Sequence, residues 1–322
     1  MNLNYSKHGD SAADPGFQRS VRDKGGDPAS YSSNFDKASG KITSKAFQNS
    51  EISPFLKWAG GKTQLLEQIK LNLPKNYRNY YEPFVGGGSV VLALAPQKAF
   101  INDKNKQLIN LYRQLQTNPE AVIPKIKELD SIPATKELYL SLREKYNFKI
   151  SQGEMDAECA ALMIWINKHC FNGLYRVNAR GLFNVPYNNK KSGKSIDENN
   201  AKKAAKYLQK SAYITCLDFE EACKGVEKGD FVYFDSPYLP ESPTAYFTDY
   251  TAQGFSRKDH ERLAALFRSL DKRGAKLMLS NNDVPMARSL YADYKIQSFE
   301  VKRMISRNAT GRRGREVIIT NY

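Results

Sequence analysis

The run FVYFDSPY, Phe231 to Tyr238, sets four apolar β-formers directly before an acid, a serine, a proline and a tyrosine. A strand that ends in Asp235 delivers its carboxylate to the edge of a sheet, and in open α/β sheets the carboxyl edge is where ligands bind. Pro237 disfavours the helical region for the residue before it, so the Ser236 carbonyl is held in extended backbone. A carboxylate and a fixed carbonyl facing one point accept two N–H bonds, which is what an exocyclic amino group offers. The Tyr238 ring supplies a flat face for the ring that carries that amine. The amine of adenine is a poor nucleophile because its lone pair is delocalised. Two acceptors on its hydrogens favour pyramidal geometry and stabilise the positive charge that develops as it attacks an electrophilic methyl. The same residues also fit an Asp-Ser-Pro turn that only closes a core strand.

Two glycine-bearing stretches bear on that choice. EPFVGGGSVV, Glu82 to Val91, follows a predicted strand and opens a predicted helix, the setting in which glycines let a ligand approach backbone N–H groups at a helix N-terminus. Its glycines are contiguous and Val91 stands where a small residue is required, so it is not a dinucleotide fingerprint. Asp103, in FINDKN, ends the next strand at the distance where such folds place a carboxylate on ribose hydroxyls. Together they imply a nucleoside-bearing cofactor; the competing reading is a tight strand-to-helix turn with Asp103 capping the next helix. KWAGGKT, Lys57 to Thr63, ends like a phosphate-binding loop, but Leu56 stands where the leading glycine is needed and a polar stretch replaces the preceding strand, which argues against an NTPase.

The elements that must hold these residues show in the hydrophobic pattern. Residues 1–50 are rich in Ser, Gly, Asp, Lys and Asn without a sustained period, and are expected to be a disordered tail. From Pro54 onward short apolar runs alternate with amphipathic segments, the pattern of an α/β sheet. Strands are predicted at Tyr80 to Val85, Ala99 to Asn102, Ala212 to Cys216, Phe231 to Phe234, Lys276 to Ser280, Lys295 to Val301 and Glu316 to Thr320. Helical spacing over Leu108 to Leu115, Pro119 to Leu129, Lys136 to Tyr146 and Met155 to His169 predicts a helical insertion between the second and third strands. That insertion opens into the Gly/Asn/Lys-rich FNGLYRVNARGLFNVPYNNKKSGK, and long loops in compact domains tend to be functional. The expected organisation is a catalytic domain in two parts, 54–115 and 212–322, interrupted by a helical target-recognition insertion over 116–211.

Composition narrows the partner. Lys and Arg number 49 against 34 Asp and Glu, a formal net charge of +15, which suits a phosphate-rich partner better than a small metabolite. The four cysteines form no CxxC pair and the three histidines lie far apart, so no metal site is expected and the thiols read as reduced and buried. Without a signal peptide or a long apolar run, a soluble intracellular protein is expected, with no membrane partner.

FLKWAGGK, EPFVGGGS, FNGLYRVNARGLFNVPY, the Asp-x-Pro-Tyr element and the basic segment KRMISRNATGRRGR, in this order from about Pro54 to Tyr322, resemble DNA adenine methyltransferases of the Dam type, the alpha-class D12 amino-methyltransferases. The resemblance implies a Rossmann-like sheet that binds S-adenosylmethionine without a metal. It implies Trp58 and Lys62 in the first cofactor motif, Phe84, Gly86 and Gly88 around the methionine end, Asp103 on the ribose hydroxyls, and Asp218 and Phe219 at the cofactor adenine. It makes Asp235, Ser236, Pro237 and Tyr238 the catalytic element, holding and stacking an adenine rotated out of duplex DNA, with Asp235 also among the cofactor-binding residues. It implies DNA contacts by Asn172 in the FNGLYR loop, by Arg176 to a guanine, by Leu174 and Pro186 to a thymine, and by Lys57 to the first guanine of a GATC site. Arg303, Arg307 and Asn308 lie in a basic arm similar to a family hairpin that enters DNA.

The chain departs from the family pattern twice. Ser236 stands where Asp-Pro-Pro-Tyr is usual, and Asn188 and Asn189 replace a common Gly-Arg pair after NVPY. Two other readings stay open. One is a catalytically silent sequence-specific DNA-binding module; the other is an amino-methyltransferase acting on another amine, such as cytosine or a protein amide.

Overall fold

The computed structural model describes residues 52–58, 60–62, 64–189, 193–240, 254–302 and 313–322. The tail expected over 1–50 and the arm residues Arg303, Arg307 and Asn308 lie outside the described residues. All the predicted strands form: β1 Tyr80–Glu82, β2 Ala99–Asn102, β3 Ala212–Thr215, β4 Phe231–Phe234, β5 Lys276–Asn282, β6 Lys295–Lys302 and β7 Arg313–Thr320. They make one sheet in the order β3-β2-β1-β4-β5-β7-β6. Strands β1 to β5 run parallel, and β7 is antiparallel to both β5 and β6. This is the doubly wound, Rossmann-like arrangement that the alternating pattern predicts.

Strands buried on both faces read as continuous apolar runs, and FVYF is such a run. Alternate residues of the sheet enter two cores. Tyr80, Phe231, Tyr233 and Met278 face one, whereas Tyr81, Val232, Phe234 and Leu277 face the other. Each of the four β4 side chains is fully buried, worth roughly 1.5–3 kcal/mol apiece by area. The first core is covered by α1 Leu66–Leu71, α2 Ser89–Leu94, α3 Lys106–Thr117, α4 Pro119–Asp130, α5 Lys136–Ser151, α6 Ala157–His169 and α7 Glu198–Ser211. Of these, α3 to α7 lie between β2 and β3 in the chain. Helix α6 is buried around its whole circumference, which makes it the centre of this helical group. The second core is covered chiefly by α9 Arg257–Lys272, which begins in a Ser256–Asp259 capping box. Two short helices remain, α8 Phe219–Ala222 and α10 Pro285–Leu290.

Five strands differ from the pattern at an end: β3 stops at Thr215 rather than Cys216, β5 runs on to Asn282, β6 to Lys302, β7 begins at Arg313 rather than Glu316, and β1 is cut short. Strand β1 stops at Glu82 rather than Val85, because Pro83 has no N–H for the ladder. The chain turns instead, with Val85 N donating to Asn102 O at 2.8 Å and Gly88 N to Val85 O at 2.8 Å. Among the described residues no helix is long and apolar enough to cross a membrane.

Candidate active site

The strand order reverses at β1, whose chain continues to β2 on one side while β4 lies on the other. Ligands of doubly wound sheets bind at such a point, outside the carboxyl ends of the strands. A cavity of about 340 Å³ opens there, lined by Trp58, Lys62, Phe84, Gly86, Asp103, Asp218, Phe219, Asp235, Ser236, Pro237 and Tyr238. The cavity thus brings together residues from the first motif, the glycine turn, the ends of β2 and β4, and the start of α8. Gly88 is not on its wall. It caps α2 in a left-handed conformation (φ 74°), and an added Cβ would stand 2.6 Å from the Tyr112 hydroxyl. That hydroxyl donates to Gly86 O at 2.8 Å, so the turn is fixed from behind.

Asp235 is engaged from two sides. Lys62 Nζ lies 2.7 Å from its Oδ1, and Ser280 Oγ, on β5, donates to the same oxygen at 3.0 Å. Burial raises the Asp235 carboxyl above the usual range, and Lys62 and Ser280 pull it back. Lys62 Nζ also donates to Gly60 O and stands 4.6 Å from the centre of the Tyr238 ring. The Tyr238 hydroxyl donates to Glu316 Oε2, on β7, at 2.9 Å. The end of β5 holds the segment that follows: Leu239 N donates to Asn281 Oδ1 at 2.8 Å, and Asn282 Nδ2 to Leu239 O at 2.7 Å. Ser236 is buried and its Oγ has no hydrogen-bond partner.

Asp103 does not cap α3. Asn105 does, accepting from Gln107 N and Leu108 N. Asp103 instead ties the end of β2 to the glycine turn, accepting from Gly86 N at 3.1 Å and Asn105 N at 2.9 Å. Burial raises its carboxyl, and these N–H bonds oppose the rise. Asn102 beside it donates to Pro83 O and Leu217 O and accepts from Leu217 N, binding the ends of three segments together. Asp218 caps α8. Arg262 pairs with it at 2.8 Å and lies 4.7 Å from the centre of the Phe219 ring. Phe84, Phe219 and Phe255 form an aromatic corner, with centroids 5.4 to 5.9 Å apart. An apolar slot beside a buried carboxylate and backbone N–H groups can hold a nucleoside.

The FNGLYR loop meets this site through Trp58, whose ring stacks on Tyr175 with centroids 5.2 Å apart. Asn167, on α6, accepts from Lys57 N at 2.9 Å and donates to Lys57 O at 2.9 Å and Gly173 O at 3.0 Å. Gly173 is left-handed (φ 65°), and any Cβ there would collide with the Lys57 side chain. Lys57, Asn172, Arg176 and Pro186 are exposed and Leu174 is partly buried. The loop returns on itself through bridges Cys170 to Tyr187 and Val177 to Phe183. Within it, Arg176 Nε donates to Asn184 Oδ1 at 2.8 Å.

Sequence reasoning overlooked Glu82, Phe255, Ser280 and Glu316. Glu82 is buried on the cavity wall, accepts from the Tyr80 hydroxyl at 2.7 Å, and is pushed up to about 8 by burial. The signal for Ser280 was present, since SNND follows the apolar LML of β5 just as DSPY follows FVYF. Among the described residues no cluster of three or more His, Cys, Asp or Glu is arranged to hold a metal.

Residues 58–305 match the family described as D12 class N6 adenine-specific DNA methyltransferase. A type II methyltransferase of Lactococcus lactis subsp. cremoris, M1.LlaDCHI, is 42% identical over 273 residues, covering 84% of this chain and 96% of that one. M.MjaIII, a type II methyltransferase of Methanocaldococcus jannaschii, is 42% identical over 84% of this chain and 100% of its own length. The DNA adenine methylase of Escherichia coli K12 is 33% identical over 83% of this chain and 94% of its own.

Proposed function

The chain belongs to the D12 class of N6 adenine-specific DNA methyltransferases, and from that premise we propose that it methylates the adenine of GATC in duplex DNA, using S-adenosylmethionine and a target base rotated out of the helix. The observation that carries this reading is a single cavity with Asp235, Ser236 and Tyr238 on one wall and Gly86, Asp103 and Phe219 on another.

The residues fit the cofactor. A ribose diol offers two O–H donors to the Asp103 carboxylate, the Phe84, Phe219 and Phe255 corner suits a purine ring, and Gly86 leaves no Cβ in the turn beside Trp58. When bound, S-adenosylmethionine supplies an electrophilic methyl. On the other wall, Asp235 and the Ser236 carbonyl accept the two N–H bonds of the target amine, and the Tyr238 ring stacks on the base. As N6 forms its bond to the methyl carbon, that carbon's bond to the sulfonium sulfur would break and leave its electron pair on sulfur. Positive charge would grow on N6, and the Asp235 carboxylate would stabilise it and stand as first acceptor of the proton that N6 sheds. A stacked base cannot reach this depth, so the target leaves the helix.

Target reading falls to the helical segment 116–211 together with Lys57. Arg176 suits the two acceptors on the major-groove edge of guanine; Leu174 and Pro186 suit a thymine methyl, and Asn172 borders the same surface. Basic residues after β6, Arg303 and Arg307 with Asn308, extend the proposed contact with DNA.

The test is transfer of labelled methyl from S-adenosylmethionine to two duplexes, one with GATC and one with its adenine replaced, followed by nucleoside analysis. N6-methyladenine in the first alone is expected. Selective GATC binding without labelling would mark a silent binding module, and label in another nucleoside or in protein would mark another amine as the target.

A further inference from the structure

We propose that Ser280 is a positioning residue for Asp235, backed by Tyr233, and that this relay fixes which carboxylate oxygen meets the target amine. The proposal rests on the reading that Asp235 accepts from that amine.

Sheet register makes the contact. Phe234 of β4 pairs with Leu279 of β5, so the residues that follow, Asp235 and Ser280, stand side by side where the strands end. The direction of the bonds follows from the hydrogens available. An ionised Asp235 has none to give, so the Ser280 hydroxyl donates to Oδ1 over 3.0 Å. With its only hydrogen spent, Ser280 accepts from the Tyr233 hydroxyl over 2.9 Å. Lys62 adds a second donor to the same oxygen at 2.7 Å. Oδ1 therefore receives both bonds and Oδ2 remains for the amine. Ser280 and Tyr233 are both fully buried, and burying two hydroxyls inside the sheet costs free energy unless they bond to something. The relay supplies that partner and holds the carboxylate in one rotamer. The titratable groups around Asp235 are Lys62 ahead of α1, Glu82 at the end of β1, Tyr233 and Tyr238 on either side of it, and Glu316 on β7.

The experiment compares the wild-type chain with Ser280→Ala, Ser280→Thr and Tyr233→Phe. It measures kcat, KM for a GATC duplex and for S-adenosylmethionine, and the pH dependence of kcat. Ser280→Ala is expected to lower kcat about 10- to 100-fold, by analogy with removing the hydrogen-bond partner of a metal-ligating side chain, with both KM values within about twofold. Its acid limb should move to higher pH, because the Ser280 bond is one of the contacts that lower the Asp235 carboxyl. Ser280→Thr keeps the hydroxyl and should return the limb to its wild-type position. Tyr233→Phe should shift the limb less, in the same direction.

A folded Ser280→Ala protein with wild-type kcat and an unmoved limb overturns the relay, as does a change confined to KM or a threonine variant whose limb stays displaced. If Ser280→Ala does not fold, an unmoved limb in Tyr233→Phe overturns it. A wild-type chain that transfers no methyl to adenine overturns the functional reading and the relay together, whereas normal transfer with unaffected variants removes the relay alone.

Discussion

Lys62 and Asp235 form an ion pair of 2.7 Å in the cavity, the lysine side chain 4% and the aspartate 19% exposed. They are brought together by the first motif reaching across the mouth of β4. Lys62→Met leaves the aspartate charge with only Ser280 to compensate it, and breaking a buried pair from one side is costly. Asp235 then takes up a proton more readily. Methyl transfer at neutral pH is expected to fall at least about tenfold, with partial recovery in alkaline buffer, where the carboxylate is restored. Equal rates for variant and wild type across the pH range would contradict the role given to the pair.

Asp235→Ala removes the acceptor and is expected to abolish transfer. Cofactor binding, measured by calorimetry, should be largely retained, since Asp103, Phe84 and Phe219 are untouched. Undiminished turnover would sink the proposed mechanism.

Ser236 carries a buried hydroxyl with no hydrogen-bond partner. An unsatisfied buried polar group costs about 1–3 kcal/mol, so Ser236→Ala should stabilise the fold by about 1 kcal/mol in denaturant unfolding. Transfer should be unchanged, because the contact proposed at this position is a backbone carbonyl. A large fall in rate would instead show that the hydroxyl itself touches a substrate.

Glu82 gives the free protein a pH-dependent stability. Its carboxyl is raised from 4.5 to about 8 by burial. Between those values the folded chain holds a proton that the unfolded chain has released, so stability falls as pH rises through that window and levels off above it. Glu82→Gln should flatten this slope in a series of thermal melts. A slope equal to that of the wild type would assign it to other groups.

Arg176 is held by Asn184, at 2.8 Å to the side-chain oxygen and 3.3 Å to the backbone oxygen. Arg176→Ala should weaken discrimination at one guanine by about 1–3 kcal/mol, read by competition between GATC and singly substituted duplexes. Asn184→Ala should give a smaller loss at the same base. Uniform weakening across all sequences would make Arg176 a phosphate contact instead.

The central strands β4 and β5 were legible because their side chains are buried on both faces, which forces continuous apolar runs such as FVYF and LML. Asp103 and Asp235 were legible because polar residues ending such runs sit at the carboxyl edge of the sheet. Lys62 with Asp235, Ser280 with Asp235 and Tyr238 with Glu316 were not, because each depends on which strands are neighbours and in what register. The early end of β1 had a local cause in Pro83. The alternative reading of Asp103 as a helix cap falls because Asn105 occupies that position.

The clasp made by Asn167 on the Lys57 backbone and the Gly173 carbonyl has a consequence for engineering. It fastens the FNGLYR loop to the segment that also supplies Trp58 and Lys62, so the loop is not an exchangeable cassette. A chimaera that imports a foreign loop must bring its own counterparts of Asn167, Gly173 and Lys57, or the graft will loosen the cavity wall that carries Trp58 and Lys62 along with the surface it was meant to replace.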